Sequence, residues 1–194
     1  MHRRVLLLSP LALAACAAPA PAPAPRFAEI GFRTQPQFRF RVASAELANV
    51  STTQAAPPFV DHRAPIAPAE VAARWLRDRV TAIGGDHTLR LVVKDAAIRE
   101  TELPRTQGLR GVFTTDQSHR YDAILDVDLE IRDQRGLRAA TASARAERSR
   151  TVPETISLAG REAVWFELSE QLGRDINTEL DRAIRDNLAR FLAF

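Results

Sequence analysis

YDAILDVDLEIRDQRGLRAATASARA, residues Tyr121 to Ala146, is the stretch that decides the fold of this chain. Tyr121, Ala123, Leu125, Val127, Leu129 and Ile131 fall on one parity, and Asp122, Ile124, Asp126, Asp128 and Glu130 on the other. Side chains of a strand alternate between the faces of a sheet, so this period of two marks a strand buried on one face and wet on the other. Asp133-Gln134-Arg135-Gly136 has the composition of a turn. Beyond it Ala140, Ala142, Ala144 and Ala146 resume the same period, which predicts an antiparallel hairpin. With a four-residue turn, Arg132 pairs with Leu137, and Leu129, Val127 and Leu125 face Ala140, Ala142 and Ala144. Large residues opposite alanines leave shallow grooves in which a helix lies close. A slip of one residue would turn every alanine to solvent, so the pattern pins the register to one parity.

Downstream, Ser157 is a candidate N-cap for a long final helix. Its apolar residues are Val164, Leu168, Leu172, Ile176, Leu180, Ile184, Leu188 and Leu192, spaced by four throughout. An α-helix repeats every 3.6 residues, so each step drifts about 40° and the whole stripe about 280°. One straight helix cannot bury such a stripe on one flat sheet. It must bend or break, with Gly173 the natural place, or its end must pack elsewhere. Phe191, Leu192 and Phe194 are then candidates for contact with the first helix or with a partner.

Upstream, Thr88 to Val93 alternates Leu89, Leu91 and Val93 as a second strand that continues irregularly from Ile98 to Glu102. Residues 103–118 form a connection with more apolar surface than a plain loop needs, and Leu109, Val112 and Phe113 are its candidate contacts with a partner or a lipid. Phe38, Phe40 and Val42 alternate with Arg39 and Arg41, predicting a strand that runs on toward Leu47. A long Pro-, Ala-, Ser- and Thr-rich loop over 49–67 follows, pinned by Phe59, Val60 and Ile66. Pro68 suits a helix start. Val71, Trp75, Val80 and Ile83 mark one face of a helix over 68–83, which Gly84-Gly85 ends. The result is an α+β fold: one mainly antiparallel sheet of about four strands with two helices on one face, in the order β-α-β-β-β-α.

The front of the chain is different. His2, Arg3 and Arg4 precede an apolar run from Val5 to Ala15, interrupted by Pro10 and too short for a bilayer core, which needs roughly 20 residues. A basic start, a short apolar region and small residues describe an export signal. Leu13-Ala14-Ala15-Cys16 resembles the lipobox of bacterial lipoprotein precursors, and Cys16 is the only cysteine. The resemblance implies cleavage before Cys16, diacylglycerylation of its sulfur and acylation, typically with palmitate, of the new amino group. It further implies a lipid-anchored, periplasm-facing protein. Ala17 stands where an aspartate would favour the inner membrane, so the outer membrane is preferred. Two or more acyl chains suffice for stable anchoring. From Ala17 to Pro25 alanine alternates with proline, a polyproline II spacer of roughly 28 Å. The chain therefore divides into a signal peptide (1–15), a lipidated cysteine with its spacer (16–26) and a single domain (27–194).

The formal charge of +3 includes Arg3 and Arg4, so the processed chain carries about +1. Its basic character reflects arginine in place of lysine, and Lys94 is the only lysine. That argues against a nucleic-acid partner, which would demand a basic footprint. Asp122, Asp126, Asp128 and Glu130 share a face, but alternate strand residues stand about 6.6–7 Å apart and cannot converge on a cation. A salt-bridged solvated face, with Asp126 reaching Arg145, is the expectation. His62, His87 and His119 lack metal-ligand spacing, Asp61-His62 and Asp86-His87 are adjacent loop residues that point apart, and no nucleophile motif is present. No metal, no cofactor and no enzymatic activity are expected. Arg145, Arg148 and Arg150 form a basic strip that could meet lipid phosphate but is expected to pair with neighbouring carboxylates such as Glu147 and Glu154.

The element order, the Tyr121–Ile131 strand and the closing amphipathic helix, behind a lipobox, resemble the outer-membrane lipoprotein that assists lipopolysaccharide assembly. They also resemble the auxiliary lipoproteins of ABC-type lipid transport systems. The likeness spans residues 38–192 and implies a non-catalytic envelope lipoprotein that binds another envelope component, a protein partner among them, in support of assembly or transport. The alternative is a periplasm-facing lipid or glycolipid carrier with a cavity between sheet and helices.

Overall fold

The computed structural model describes residues 27–104 and 117–193. The elements are β1 (Phe38–Phe40), β2 (Ser44–Asn49), α1 (Pro68–Arg79), β3 (Val80–Ala82), β4 (Thr88–Glu102), β5 (Gln117–Arg132), β6 (Arg138–Pro153) and α2 (Leu158–Asn187). The main sheet has the order β2-β4-β5-β6, parallel between β2 and β4 and antiparallel elsewhere. Parallel neighbours need a crossover, and α1 supplies it between β2 and β4. α1 packs over the β2–β4 side and α2 over β6 and β5, both on one face. The fold is α+β, as the sequence leads one to expect.

β5 carries the core. Tyr121, Leu125, Val127, Leu129 and Ile131 are fully buried, and Ala142, Ala144 and Ala146 of β6 lie with them under α2. The hairpin register differs from the expected one by two residues: Leu129 faces Ala142, Val127 faces Ala144 and Leu125 faces Ala146. The turn is the cause. Asp133 Oδ1 accepts from the N–H groups of both Arg135 and Leu137, each at 2.9 Å, so the loop takes in Leu137, and Gly136 provides the positive φ of 78°. An irregularity at Ile131/Arg132 absorbs the remaining residue, and Arg132 pairs with Arg138. A shift of two keeps every side chain on its face. Asp126 thereby stands directly opposite Arg145.

The expected strand from Phe38 toward Leu47 is two strands in two sheets. Residues 41–43 break it: Arg41 N–H donates to Phe191 O at 2.8 Å, Val42 N–H folds back to Phe40 O at 2.9 Å, and Ala43 N–H turns to His87 O at 2.7 Å. β1 pairs in parallel with β3 on one side. On its other side lies the C-terminal segment, through the Phe40–Leu192 bridge and the bond from Ala193 N–H to Arg39 O at 2.8 Å. The expected helix over 68–83 stops at Arg79 for the same reason, since Val80–Ala82 leave the helix to pair with β1. Gly84 and Gly85 have positive φ, but they turn the chain after β3 rather than cap the helix. The 49–67 loop is pinned as expected. Val60 N–H donates to Ile98 O and Glu100 N–H to Pro58 O, both at 2.8 Å, extending the covered edge of β4 beyond β2.

α2 is continuous through Gly173, and Ser157 Oγ accepts from Gly160 N–H as its cap. Two adjacent rows accommodate the drifting stripe. Leu168, Leu172, Ile176, Leu180, Ile184 and Leu188 are buried, and so are Trp165, Ser169, Gly173 and Asn177. The second row meets α1, which runs parallel beside α2, and the residues leading into it: Trp75 Nε1 donates to Asn177 Oδ1 at 3.1 Å, and Ser169 Oγ donates to Ile66 O, just before α1, at 2.9 Å. A strap over residues 27–37 lies along this seam. Ile30 and Phe32 are buried there, and a Cβ on Gly173 would sit 2.8 Å from Val71 Cγ1 and 3.3 Å from Phe32 Cζ. Asp78 holds the strap, accepting from Phe32 N–H at 3.0 Å and pairing with Arg33 and Arg77.

Two outcomes test this packing. Gly173→Leu should lower stability by about 1–3 kcal/mol, the usual penalty of overpacking, measured by chemical denaturation. Burial pushes the Asp78 carboxyl up, but the Phe32 N–H together with Arg77 and Arg33 outweighs it and holds the pKa below the ordinary value. Such a group adds stability that is full above its unfolded pKa near 3.9 and lost as pH falls through the lower folded value. Asp78→Asn should therefore flatten the acid limb of the stability–pH curve and speed tryptic cleavage at Arg33. An unchanged limb would exclude this role.

Candidate functional site

The sheet has two distinct ends. At the near end β4 and β6 finish, β5 begins and both helices start; at the far end lie the β5–β6 turn, β3 and the C-terminal segment. The strap enters at the near end, where Phe27 stacks on Phe166 with ring centroids 4.8 Å apart.

A groove of about 490 Å³ lies at this near end, lined by Pro58, Phe59, His62, Arg63, Glu100 and His119 among others. Behind it Tyr121 OH donates to Glu100 Oε1 at 2.9 Å, and Arg161 Nη1 donates to the same oxygen at 2.6 Å and to the phenol oxygen at 2.5 Å. The ring of Tyr121 meets Trp165 edge-on at 5.6 Å. His119 Nε2 stands 3.9 Å from Glu100. Burial, then the Glu100 carboxylate, push the phenol up to about 12, against the opposing pull of Arg161. A phenol so held is a neutral donor at any physiological pH. The three side chains satisfy one another and tie the start of α2 to the sheet, which suits a rigid wall better than a proton-transfer group.

The sequence-derived candidates fare differently. Leu13, Ala14, Ala15, Cys16, Leu109, Val112, Phe113 and Phe194 lie outside the described residues. Phe191 and Leu192 are 9% and 7% exposed, packed into this chain's own core beside β1, so they are not free partner contacts. Arg145 pairs with Asp126 at 3.2 Å and with Glu147 at 2.5 Å, Arg148 with Asp175 at 2.7 Å, and Arg150 approaches Glu167 at 4.0 Å. That strip is engaged within the chain, two of its arginines with α2. The acidic face of β5 is bridged likewise, with Lys94 Nζ 2.9 Å from both Asp126 and Asp128. Among the described residues no group of three or more His, Cys, Asp or Glu is placed to hold a metal ion.

The far end gathers residues that the sequence alone does not single out. Arg39, Arg41, Arg90 and Arg190 form no ion pair with a carboxylate among the described residues, whereas most other arginines do. Arg41 Nη2 donates to Arg190 O at 2.9 Å, and Arg190 Nη2 donates to Ala139 O at 2.8 Å, next to Arg138. Arg132 and Arg138 flank the buried Glu130 at 2.6 and 2.9 Å, and Arg90 lies opposite Glu130 in the β4–β5 register. The alternation Phe38-Arg39-Phe40-Arg41 was the available signal, but its link to residue 190 is invisible without the C-terminal turn.

No model of a known protein family matches the chain, and no curated protein matches it. Solved structures show a loose likeness to the chain. Rare lipoprotein B from Shewanella oneidensis is 15% identical over 74% of this chain and 97% of its own, with a TM-score of 0.39. A minor lipoprotein from Acinetobacter baumannii is 13% identical over 78% of this chain and 96% of its own, with a TM-score of 0.40. At such scores the superposition is loose, and no residue or role is carried across. No helix among the described residues is long and apolar enough to cross a membrane.

Tyr121 is the only tyrosine, so its environment can be read directly. Phenolate absorbance should titrate near 12 in the folded protein and near 10 in denaturant. Because the folded pKa is the higher one, stability from this group is full below about pH 10 and lost as pH rises toward 12. Titration near 10 in the folded state would dissolve the proposed cluster.

Proposed function

We propose that this chain is a non-catalytic envelope lipoprotein, anchored through acyl chains on Cys16, that binds another envelope component and supports outer-membrane assembly or transport. The observation that carries the reading is the strap. It delivers the Ala–Pro spacer to one end of a domain whose interior is filled, so that the rest of the surface is displayed to partners. The domain faces the periplasm, and Ala17 after the lipidated cysteine favours the outer membrane over the inner. The carrier alternative requires room between sheet and helices. Ala142, Ala144 and Ala146, the residues that could have provided it, are at most 6% exposed and lie under α2, which argues for binding on the outside.

In cells, radiolabelled palmitate should enter the wild-type protein and not Cys16→Ser, and only the wild type should float with membranes. Deletion of the gene should raise envelope permeability. Full labelling of Cys16→Ser, or a deletion without envelope phenotype, would count against the reading.

A further inference from the structure

The processed chain is almost neutral overall, yet its far end is not. Arg39, Arg41, Arg90, Arg132, Arg135, Arg138 and Arg190 gather there against Glu46, Asp86, Glu130 and Asp133, a local excess of +3 that leaves the rest of the chain net negative. Most arginines elsewhere are spent on carboxylates. Here Arg39 projects from β1, whose residues Phe38 and Phe40 are buried, Arg41 projects from the bend just after it, and Arg190 projects from the turn after α2. Arg135 keeps 81% of its side-chain exposure, and its contact with Asp133 is 3.5 Å.

Two exposed apolar side chains accompany these cations: Leu137, 58% exposed at the tip of the β5–β6 turn, and Ile83, 39% exposed after β3. Arginine mixed with exposed apolar residues is the composition of a protein-binding surface. A phosphate headgroup would instead ask for donors converging on one point. These guanidinium groups are spread over four chain segments. Geometry points the same way. β5 has 16 residues, so near and far ends are about 50 Å apart, while the strap enters at the near end. The far end is thus the part of the domain best displayed away from the anchoring bilayer.

We infer that the far end, residues 39–41, 83, 90, 132–138 and 190, docks a partner protein through an acidic surface. The inference rests on the proposed function and names the chemistry of its partner. The excess charge steers association and makes it salt-sensitive, and the exposed Leu137 and Ile83 supply apolar contact beside it.

The test uses the full-length lipidated protein in its own cells, with the photocrosslinking residue p-benzoylphenylalanine placed at Leu137 at the far end or His62 at the near end. Leu137 should give a protein adduct whose crosslinked peptide is rich in Asp and Glu. The yield should fall at least tenfold with Arg41→Glu plus Arg190→Glu, and severalfold with Arg39→Gln plus Arg90→Gln, which leaves the Arg41–Arg190–Ala139 bonds intact. Arg148→Gln plus Arg150→Gln should leave it unchanged. A lipid adduct at Leu137, or a protein adduct indifferent to these arginines, overturns the inference. Adducts from His62 alone overturn it while leaving the proposed function standing, and adducts from neither end take both down.

Discussion

Everything in this domain is arranged around one contact: a helix of 30 residues lying on a row of alanines. Ala142, Ala144 and Ala146 carry only a methyl group each, so the backbone of β6 approaches α2 closely, and the large residues of β5 fill the space beside them. Close packing at interior density leaves little tolerance for added volume. The consequence runs outward from there. A helix pressed onto β6 must cover the rest of its apolar surface elsewhere: α1, lying parallel beside it, covers Gly173 and Asn177, and the segment leading into α1 covers Trp165 and Ser169. Gly173 allows the strap and Val71 to meet the helix at the same level. One small-residue row therefore sets the positions of three further segments.

The second constraint is the small sheet. β1 stands between β3 and the C-terminal segment, so three distant parts of the chain share a few backbone hydrogen bonds. Buried polar groups reinforce it. Arg79, 1% exposed, donates to Gln35 and Asn177 and pairs with Asp181 at 3.0 Å, and its guanidinium lies 4.9 Å from the Phe38 ring centroid. A buried cation is tolerated only when its charge is paired and most of its donors are met; both Nη groups of Arg79 are bonded, while its Nε has no partner among the described residues. Here the acceptors come from the strap and from α2, so the network exists only when both are docked. The strap is thus wired into the core rather than hung on a loose end.

Much of this was legible in the sequence, and the omissions have physical causes. The parity of Tyr121–Ile131 and of the alanines survives any even shift of register, so the faces were readable although the pairing was not; only Asp133 bonding to two backbone N–H groups sets the actual loop. The period-two pattern of Phe38–Val42 correctly marks buried and exposed residues but is silent about which strand each half joins. Likewise Val80 lies in register with an amphipathic helix, and local pattern cannot tell that β1 competes for its backbone. The near-end cluster of Glu100, Tyr121 and Arg161 joins residues from three elements, and no spacing in one dimension announces it. The lipobox resemblance of Leu13–Cys16 is a purely local pattern, and it lies outside the described residues.

The distribution of charge gives the fold its direction. Across the open face of the sheet acids and bases alternate and cancel, as the Lys94–Asp126–Asp128 and Arg145–Glu147 contacts display. Such a face is well solvated and resists edge-to-edge association. At the near end Arg161 is consumed by Glu100, and Arg63 lies over the Trp165 ring at 5.3 Å. At the far end, among the described residues, arginines outnumber carboxylates, and Arg39, Arg41, Arg90 and Arg190 form no ion pair. The segments that bear them are the ones that the small sheet and the hairpin turn bring together last in sequence terms: residues 39–41, 132–138 and 190. Backbone bonds that seem purely structural, Arg41 N–H to Phe191 O and Ala193 N–H to Arg39 O, therefore also hold the cations in place. The same closure that buries Phe191 and Leu192 builds the basic end, so the chain turns its apolar terminus inward and presents charge outward in a single step.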